Sequence, residues 1–415
     1  MTKLLEIANE KGLLNMIGEF SIFDSSLKNN PLPAFAELAR TRPFSQKIYG
    51  VDSLILSRFK HVEEAFVDFS RFSSVKPYIP GQESIDYFKG REILGFVDPP
   101  EHTRLRRNLS ACLSPAAVKA LGQEINLLLD RTLDELDDGS DNIEIISAFT
   151  HPLAVDVVLG VLLGLPREDF VIFEALTAEM CGLVDLKPGD QHSKSYDDAW
   201  DTAQEYLEDV IAGANDRLDK SKIISSLVTL NRQDHILDSE ELLLQIMPLC
   251  VAGISPISSL LGSILLMMAR FPQQFEVVRQ NPSLVGGAIE EILRFDPPSM
   301  FSPRYAKGHF NYEGVDVAEG MPVYLIVGAT GFDPAIYEDP LRFDVSRPAR
   351  PHVIFAKGAH TCLGMHLVRL LGRLMLGKIA THYRAVELLN EGGHVNYCGS
   401  PQARDPEEIH LHFKR

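Results

Sequence analysis

Phe355-Ala356-Lys357-Gly358-Ala359-His360-Thr361-Cys362-Leu363-Gly364 is a glycine-punctuated loop that runs straight into an apolar segment. In that segment Leu363, Leu367, Leu370, Leu371 and Leu374 recur at helical spacing, so a helix is predicted over Leu363 to Thr381. Cys362 then lies at a helix N-terminus, where free N–H groups and the positive dipole end favour a thiolate. Gly358 and Gly364 remove side chains on either side, so a flat group can approach the backbone. A lone cysteine at a helix start is by default a buried core residue. A tetrahedral zinc site is excluded, since no Cys-x-x-Cys or His-x-x-x-His lies nearby.

The surroundings of this loop bound the rest. The chain has 415 residues, 45% of them hydrophobic, which suits a globular fold and argues against disorder. A net charge of -17 argues against nucleic acid as the main partner. The N-terminal stretch carries Lys3, Glu6, Glu10, Lys11 and Glu19 among its apolar residues, and no apolar run is expected to span a bilayer. Five cysteines, Cys112, Cys181, Cys250, Cys362 and Cys398, are scattered singly, as in a reducing cytoplasm.

Short helices are predicted at Pro33 to Arg40 and Val62 to Asp68, strand at Ser45 to Leu56, and loop at Lys76 to Arg91. From Asp98 to about Phe271 the periodicity is helical, most clearly in Pro152 to Leu163, Asp197 to Asp216 and Ser239 to Arg270. Polar Leu186 to Ser195 interrupts it. A helix from Ala288 to Phe295 stops at Pro297-Pro298. Arg304 to Val327 carries short β-type runs, of which Val323 to Val327 is the strongest, and Asp333 to Pro351 is irregular. The expectation is a mainly α chain with small β-sheets, forming one domain over residues 1–415.

Three further segments carry chemistry. Asp98-Pro99-Pro100-Glu101-His102-Thr103-Arg104-Leu105-Arg106 puts His102 and Arg106 on one helical face. Glu291 and Arg294 form a Glu-x-x-Arg pair at i, i+3, which by itself reads as a surface ion pair. Leu249-Cys250-Val251-Ala252-Gly253-Ile254-Ser255-Pro256 sits inside the long apolar helix, where Pro256 must kink it and free carbonyls near Ala252 and Gly253.

Together these segments resemble the cytochromes P-450 over essentially the whole chain. Phe355, Gly358, His360, Cys362 and Gly364 match the haem-binding signature, with Ala356 in place of its first glycine. The resemblance implies the cytochrome P-450 fold, a single haem domain, haem b as cofactor and Cys362 as proximal iron ligand. It implies that His102, Arg106, Arg304 and His352 hold the haem propionates, which as buried carboxylates need cationic or N–H partners. It implies that Glu291 and Arg294 are buried and completed by Arg342, for folding and haem retention.

In the family an acid and an alcohol follow Ala-Gly and deliver protons during oxygen activation. Here Ala252 and Gly253 remain, the acid position is Ser255 and the alcohol position is Pro256. Three routes stay open: a water held by Ser255, a hydroxyl on the substrate, or use of peroxide. Peroxide-using relatives carry Arg-Pro here; Pro256 fits that pattern and Ser255 does not. The expected substrate contacts are Tyr78, Ile79, Tyr87, Phe88, Met180, Leu183, Leu249, Cys250, Met300, Phe301 and Cys398, which are mostly apolar and suit a lipophilic molecule.

The resemblance further implies a cytoplasmic monomer that uses O2, with electrons from a ferredoxin and ferredoxin reductase. Arg104, Arg107, Lys357, Arg369 and Arg373 would form a basic patch for an acidic ferredoxin. The expected activity is monooxygenation. The alternatives are a peroxygenase, an O2-independent isomerase or dehydratase, and a non-catalytic haem-binding partner protein.

Overall fold

Two end-to-end helices, Ser239–Ala252 and Ile254–Arg270, run through the largest hydrophobic cluster of the protein. The structure is a computed structural model that describes residues 25–48, 50–77, 93–136, 141–182, 193–213, 217–398 and 402–415. The first of these helices starts in a capping box: Asp238 accepts the Glu241 N–H at 2.8 Å, and Glu241 accepts the Asp238 N–H at 3.0 Å. Sequence periodicity predicts one helix from Ser239 to Arg270; the backbone instead breaks at Gly253 (φ -88, ψ -29). The cause is Pro256, which has no N–H for the Ala252 carbonyl and whose ring crowds it. The interruption falls three residues upstream, where a Cβ on Gly253 would lie 3.1 Å from Val158, so any larger residue there would push that side chain aside.

The helix after the cysteine loop is Met365–His382, two residues shorter at its start than predicted. Its Gly372 packs against Ile264 and Ile289; a Cβ there would lie 3.1 and 3.3 Å from them. It thus meets the central helix and the helix Val285–Phe295 at one tight crossing. Pro152 to Leu163 is helical as expected, but it belongs to a longer run with π-helical turns at Ile146–Thr150 and Asp156–Leu163. Lys194–Ala212 ends on Gly213, whose φ of +81 stops the helix.

Two helical runs, Ile146–Leu163 and Ser239–Arg270, are long and apolar enough to cross a membrane by length and composition, contrary to the expectation that no run reaches that length. Most of each is buried inside the fold, as in the core helix of a globular protein.

The β structure is small. A five-stranded sheet has the order Phe44–Ile48, Val51–Leu56, Pro322–Leu325, Ser302–Ala306 and Phe72–Ser73. Val51–Leu56 and Pro322–Leu325 pair in parallel, while the other neighbours are antiparallel. Ile143–Glu144, His410–Lys414 and Ala385–Leu388 make a second sheet. A ribbon of Tyr397–Cys398 and Asp405–Pro406 lies against the central helix: a Cβ on Gly262 would sit 3.4 Å from Pro406.

Candidate functional site around Cys362

The loop before the proximal helix is held by its own backbone. The Cys362 N–H donates to the Phe355 carbonyl at 2.8 Å, and the Ala356 N–H donates to Val353 at 2.9 Å. Ala356 has φ +56, so it keeps a left-handed conformation that glycine adopts without strain. Gly358 has φ +67, and a Cβ there would come within 3.3 Å of the Phe66 carbonyl and Val67. Its glycine is therefore required by loop shape and by packing on the helix Phe59–Val67.

Cys362 is itself exposed within dense surroundings. Burial pushes its thiol up, and the N–H groups of Gly364 and Met365 pull it back only in part. The sequence leads one to expect a thiolate from the helix terminus alone. Desolvation outweighs the pull of those N–H groups, so the helix terminus alone does not hold a thiolate here.

Around this loop lies a cluster of bases. The rings of His102 and His360 are 4.1 Å apart at their centroids. His102 is buried, and its Nε2 has no hydrogen-bond partner among the described residues. Burial, with Arg106 nearby, pushes it down to about 4. His360 shares a 3.1 Å hydrogen bond with Ser74, and burial with His102 and Arg304 beside it pushes it down to about 3. Arg304 is buried over the Phe66 ring, donates to Ser302 and the Pro303 carbonyl, and is lowered to about 10 by desolvation. Arg106 donates to the carbonyls of Ala359 (2.9 Å) and Thr361. Asp98 is the acid of this neighbourhood, and Ser73, the Ser74 N–H and Lys307 hold it below the usual carboxylate range against its burial.

His352 is engaged elsewhere. Its Nε2 is 2.9 Å from Glu290, which also takes two 2.8 Å hydrogen bonds from Arg369. Its Nδ1 is buried without a partner among the described residues, and it is His360 whose ring lies against that of His102. The sequence counted His360 only as part of the loop signature.

Beneath lies an ion-pair hub. Arg294 is 2% exposed and donates two 2.7 Å bonds to Glu291, with further bonds to the carbonyls of Gly331, Pro340 and Arg342. The third member is Arg347, whose Nε lies 3.3 and 3.2 Å from the two Glu291 oxygens. Arg342, the residue chosen from sequence, turns its guanidinium outward to Asp344 and offers the hub only its carbonyl. Arg347 lies five residues further along an irregular stretch, where spacing carries no information about direction.

On the central helix Leu249, Ala252, Gly253 and Pro256 share one face, and Ala252 and Pro256 are exposed in the middle of a mostly buried helix. Gln245 continues that face one turn back; it is 3% exposed, and both its amide atoms lack partners among the described residues. Ser255 points off this face, donating to Asp405 at 2.8 Å; Ser259 also donates to Asp405. Neither Gln245 nor Asp405 is marked by any motif.

Of the expected substrate contacts, Leu249 and Met180 are partly buried and Cys398 is exposed. Cys250, Met300 and Phe301 are core instead, at 0%, 1% and 5% exposure, because they point away from the exposed face or into the cluster under the five-stranded sheet. Tyr78, Ile79, Tyr87, Phe88 and Leu183 lie outside the described residues. The expected basic patch is largely neutralised: Arg104 binds Glu101 and Glu241, Arg369 binds Glu290, and Lys357 lies 3.5 Å from Glu63. Arg107 and Arg373 remain as its exposed bases.

These residues fit a haem. A buried guanidinium without a carboxylate pair among the described residues, an orphaned histidine nitrogen and two histidines held neutral suit an incoming pair of carboxylates, and one sulfur suits iron.

The profile of the family described as Cytochrome P450 matches residues 14–394. The vitamin D(3) 25-hydroxylase of Pseudonocardia autotrophica is 30% identical over 87% of this chain and 88% of its own length. The 6-deoxyerythronolide B hydroxylase of Saccharopolyspora erythraea is 28% identical over 85% of this chain and 89% of its own. Among solved structures, the myxobacterial cytochrome P450 CYP267B1 in complex with myristic acid aligns with a TM-score of 0.84 and 26% identity, covering 95% of this chain and 99% of its own.

Proposed function

This chain belongs to the cytochrome P450 family, and on that premise we propose that it hydroxylates a neutral, lipophilic small molecule, holding haem b on Cys362. Bound there, the haem iron supplies O2 activation in the balance RH + O2 + 2 e⁻ + 2 H⁺ → ROH + H2O. Cys362 would ligate the iron, while His102, His360, Arg106 and Arg304 would hold the propionates. The stripe Leu249, Ala252, Gly253 and Pro256 would line the opposite face and keep it apolar. Gln245 adds an amide that a substrate hydroxyl or carbonyl can pair.

The observation that carries this reading is the Ser255–Asp405 hydrogen bond. Peroxide-using relatives place an arginine at that position to anchor a fatty-acid carboxylate. Here the same position is tied to a carboxylate, which repels such a substrate. Electrons from a ferredoxin and its reductase fit this reading, with Arg107 and Arg373 as the exposed bases left in the expected patch. A single haem domain in the cytoplasm completes it.

The test is direct. The reduced carbon monoxide complex is examined for a thiolate-type spectrum, and a panel of neutral terpenoids, polyketides and steroids is offered with a ferredoxin system and with peroxide. Product with the ferredoxin system is expected. Product with peroxide alone overturns the assignment, and no product with either supports a non-catalytic haem protein.

A further inference from the structure

The central helix carries neither of the two proton-handling side chains that the family places there, yet an acid from elsewhere in the chain is hydrogen-bonded to the residue at the acid position. Asp405 enters from the ribbon at the C-terminal end and accepts hydrogen bonds from Ser255 (2.8 Å) and Ser259, one turn apart on the helix. Ser259 also donates to the Ser255 carbonyl at 2.9 Å, so three groups close one small network.

The strand that carries Asp405 is fixed. Its neighbour Arg404 is buried, donates to Asp296 and to the Lys28 carbonyl, and bonds the Pro298 carbonyl through its N–H at 2.9 Å. Ser263, one turn further along the central helix, donates to that same Asp296. Pro406 packs on Gly262 of the helix. Asp405 is thus held against position 255 by contacts on both sides of it. It is also partly exposed, as is Ser255, so it can exchange protons with water.

We propose that Asp405 replaces the missing acid of the central helix, passing protons through the Ser255 hydroxyl, which points off the stripe, and on through a water at the Ala252 carbonyl to the Ala252–Pro256 stripe. The inference rests on the monooxygenase reading and deepens it. Once Asp405 has taken a proton from solvent it donates that proton to Ser255 Oγ, and the Ser255 hydroxyl, which donates to Asp405 while that acid is ionised, turns to give its own proton to the water at the Ala252 carbonyl. Each turnover moves two protons in this way, matching the two electrons supplied and the one water formed. Pro256 suits the arrangement: with no N–H at 256, the Ala252 carbonyl is free to hold a water beside the path. Because Asp405 acts through Ser255, it is a positioning residue.

The test uses the haem-loaded protein with its electron donors and a substrate that the wild type hydroxylates. Asp405→Asn is expected to lower product per reductant by about a hundredfold, the low side of what a positioned acid contributes, with the balance released as peroxide. Asp405→Glu restores part of the yield. Ser255→Ala loses as much as Asp405→Asn, and the double variant loses no more than either. A readout independent of turnover is the infrared carboxylate stretch absent from Asp405→Asn, which shifts in Ser255→Ala as its hydrogen bond is lost. Unchanged coupling in Asp405→Asn, with the thiolate-type spectrum and unfolding midpoint kept, overturns the proposal. Additive losses in the double variant, or an unmoved carboxylate band, do so as well. A wild type without the thiolate-type spectrum refutes the monooxygenase reading itself.

Discussion

Replacing Arg347 by alanine is expected to destabilise this protein far more than replacing Arg342, although sequence motif alone favours Arg342. Arg347 donates to both oxygens of Glu291 and to the carbonyls of Glu338 (2.6 Å), Asp339 (3.1 Å) and Arg342 (2.7 Å). Charge-assisted hydrogen bonds contribute roughly 1.5–3 kcal/mol each. Water can replace those to the outer carbonyls, and Glu291 keeps its pair with Arg294, so the net loss is about 3 kcal/mol. The Arg342 side chain is 61% exposed and makes one 3.2 Å pair with Asp344. Such a pair contributes about 0–1 kcal/mol. At about 1 °C per kcal/mol for a chain of this size, Arg347→Ala should lower the unfolding midpoint by about 3 °C and Arg342→Ala by less than about 1 °C. Far-ultraviolet circular dichroism on heating gives both midpoints. A urea titration followed by loss of the thiolate-type band tests whether haem leaves with the hub. Adding Glu291→Gln should reduce the effect of Arg347→Ala, since the two residues share bonds. An Arg342→Ala midpoint as low as that of Arg347→Ala would refute the hub described here.

Three other outcomes follow from the same geometry. Ala356→Gly should raise stability by about 0.5 kcal/mol in urea titration, because the left-handed strain of alanine (about 1–2 kcal/mol) exceeds the extra unfolded-chain entropy of glycine; a loss of stability would mean that Ala356 packs more than it strains. Gly331→Ala should cost several kcal/mol or prevent folding, since its Cβ would collide with the Arg294 carbonyl; a midpoint near wild type contradicts that closeness. Glu290 sits at about 2, because hydrogen bonds from His352 and Arg369 outweigh the upward push of burial. A lowered carboxylate stabilises the fold above its unfolded value near 4.5, and that contribution is lost as pH falls toward 2. Glu290→Gln should therefore flatten the stability curve between those limits, and an unchanged slope would show that the pairing does not form.

Some of this was legible in the residues. The helix after Cys362, the central apolar helix and the short strands announce themselves by period, because burial on one face leaves a regular trace. The cysteine loop, His102 with Arg106, and Glu291 with Arg294 were legible because each is local. Legibility failed where a partner comes from far along the chain. Arg347 and not Arg342 reaches Glu291, and His352 turns to Glu290 while His360 joins His102. Cys250, Met300 and Phe301 looked like pocket walls because apolar side chains in a pocket and in a core are the same residues.

The sequence by itself determined the chemistry on offer: one cysteine at a helix start, a set of bases, and a central helix with serine and proline where an acid and an alcohol are expected. It also required a bend near Pro256, since proline has no N–H to give. Only the tertiary structure decided where that bend falls, at Gly253 against Val158. It alone placed Asp405, 150 residues from Ser255, within one hydrogen bond of it. The physical reason is that backbone chemistry and period act over a few residues, whereas the direction of a side chain is set by whatever the fold packs against it.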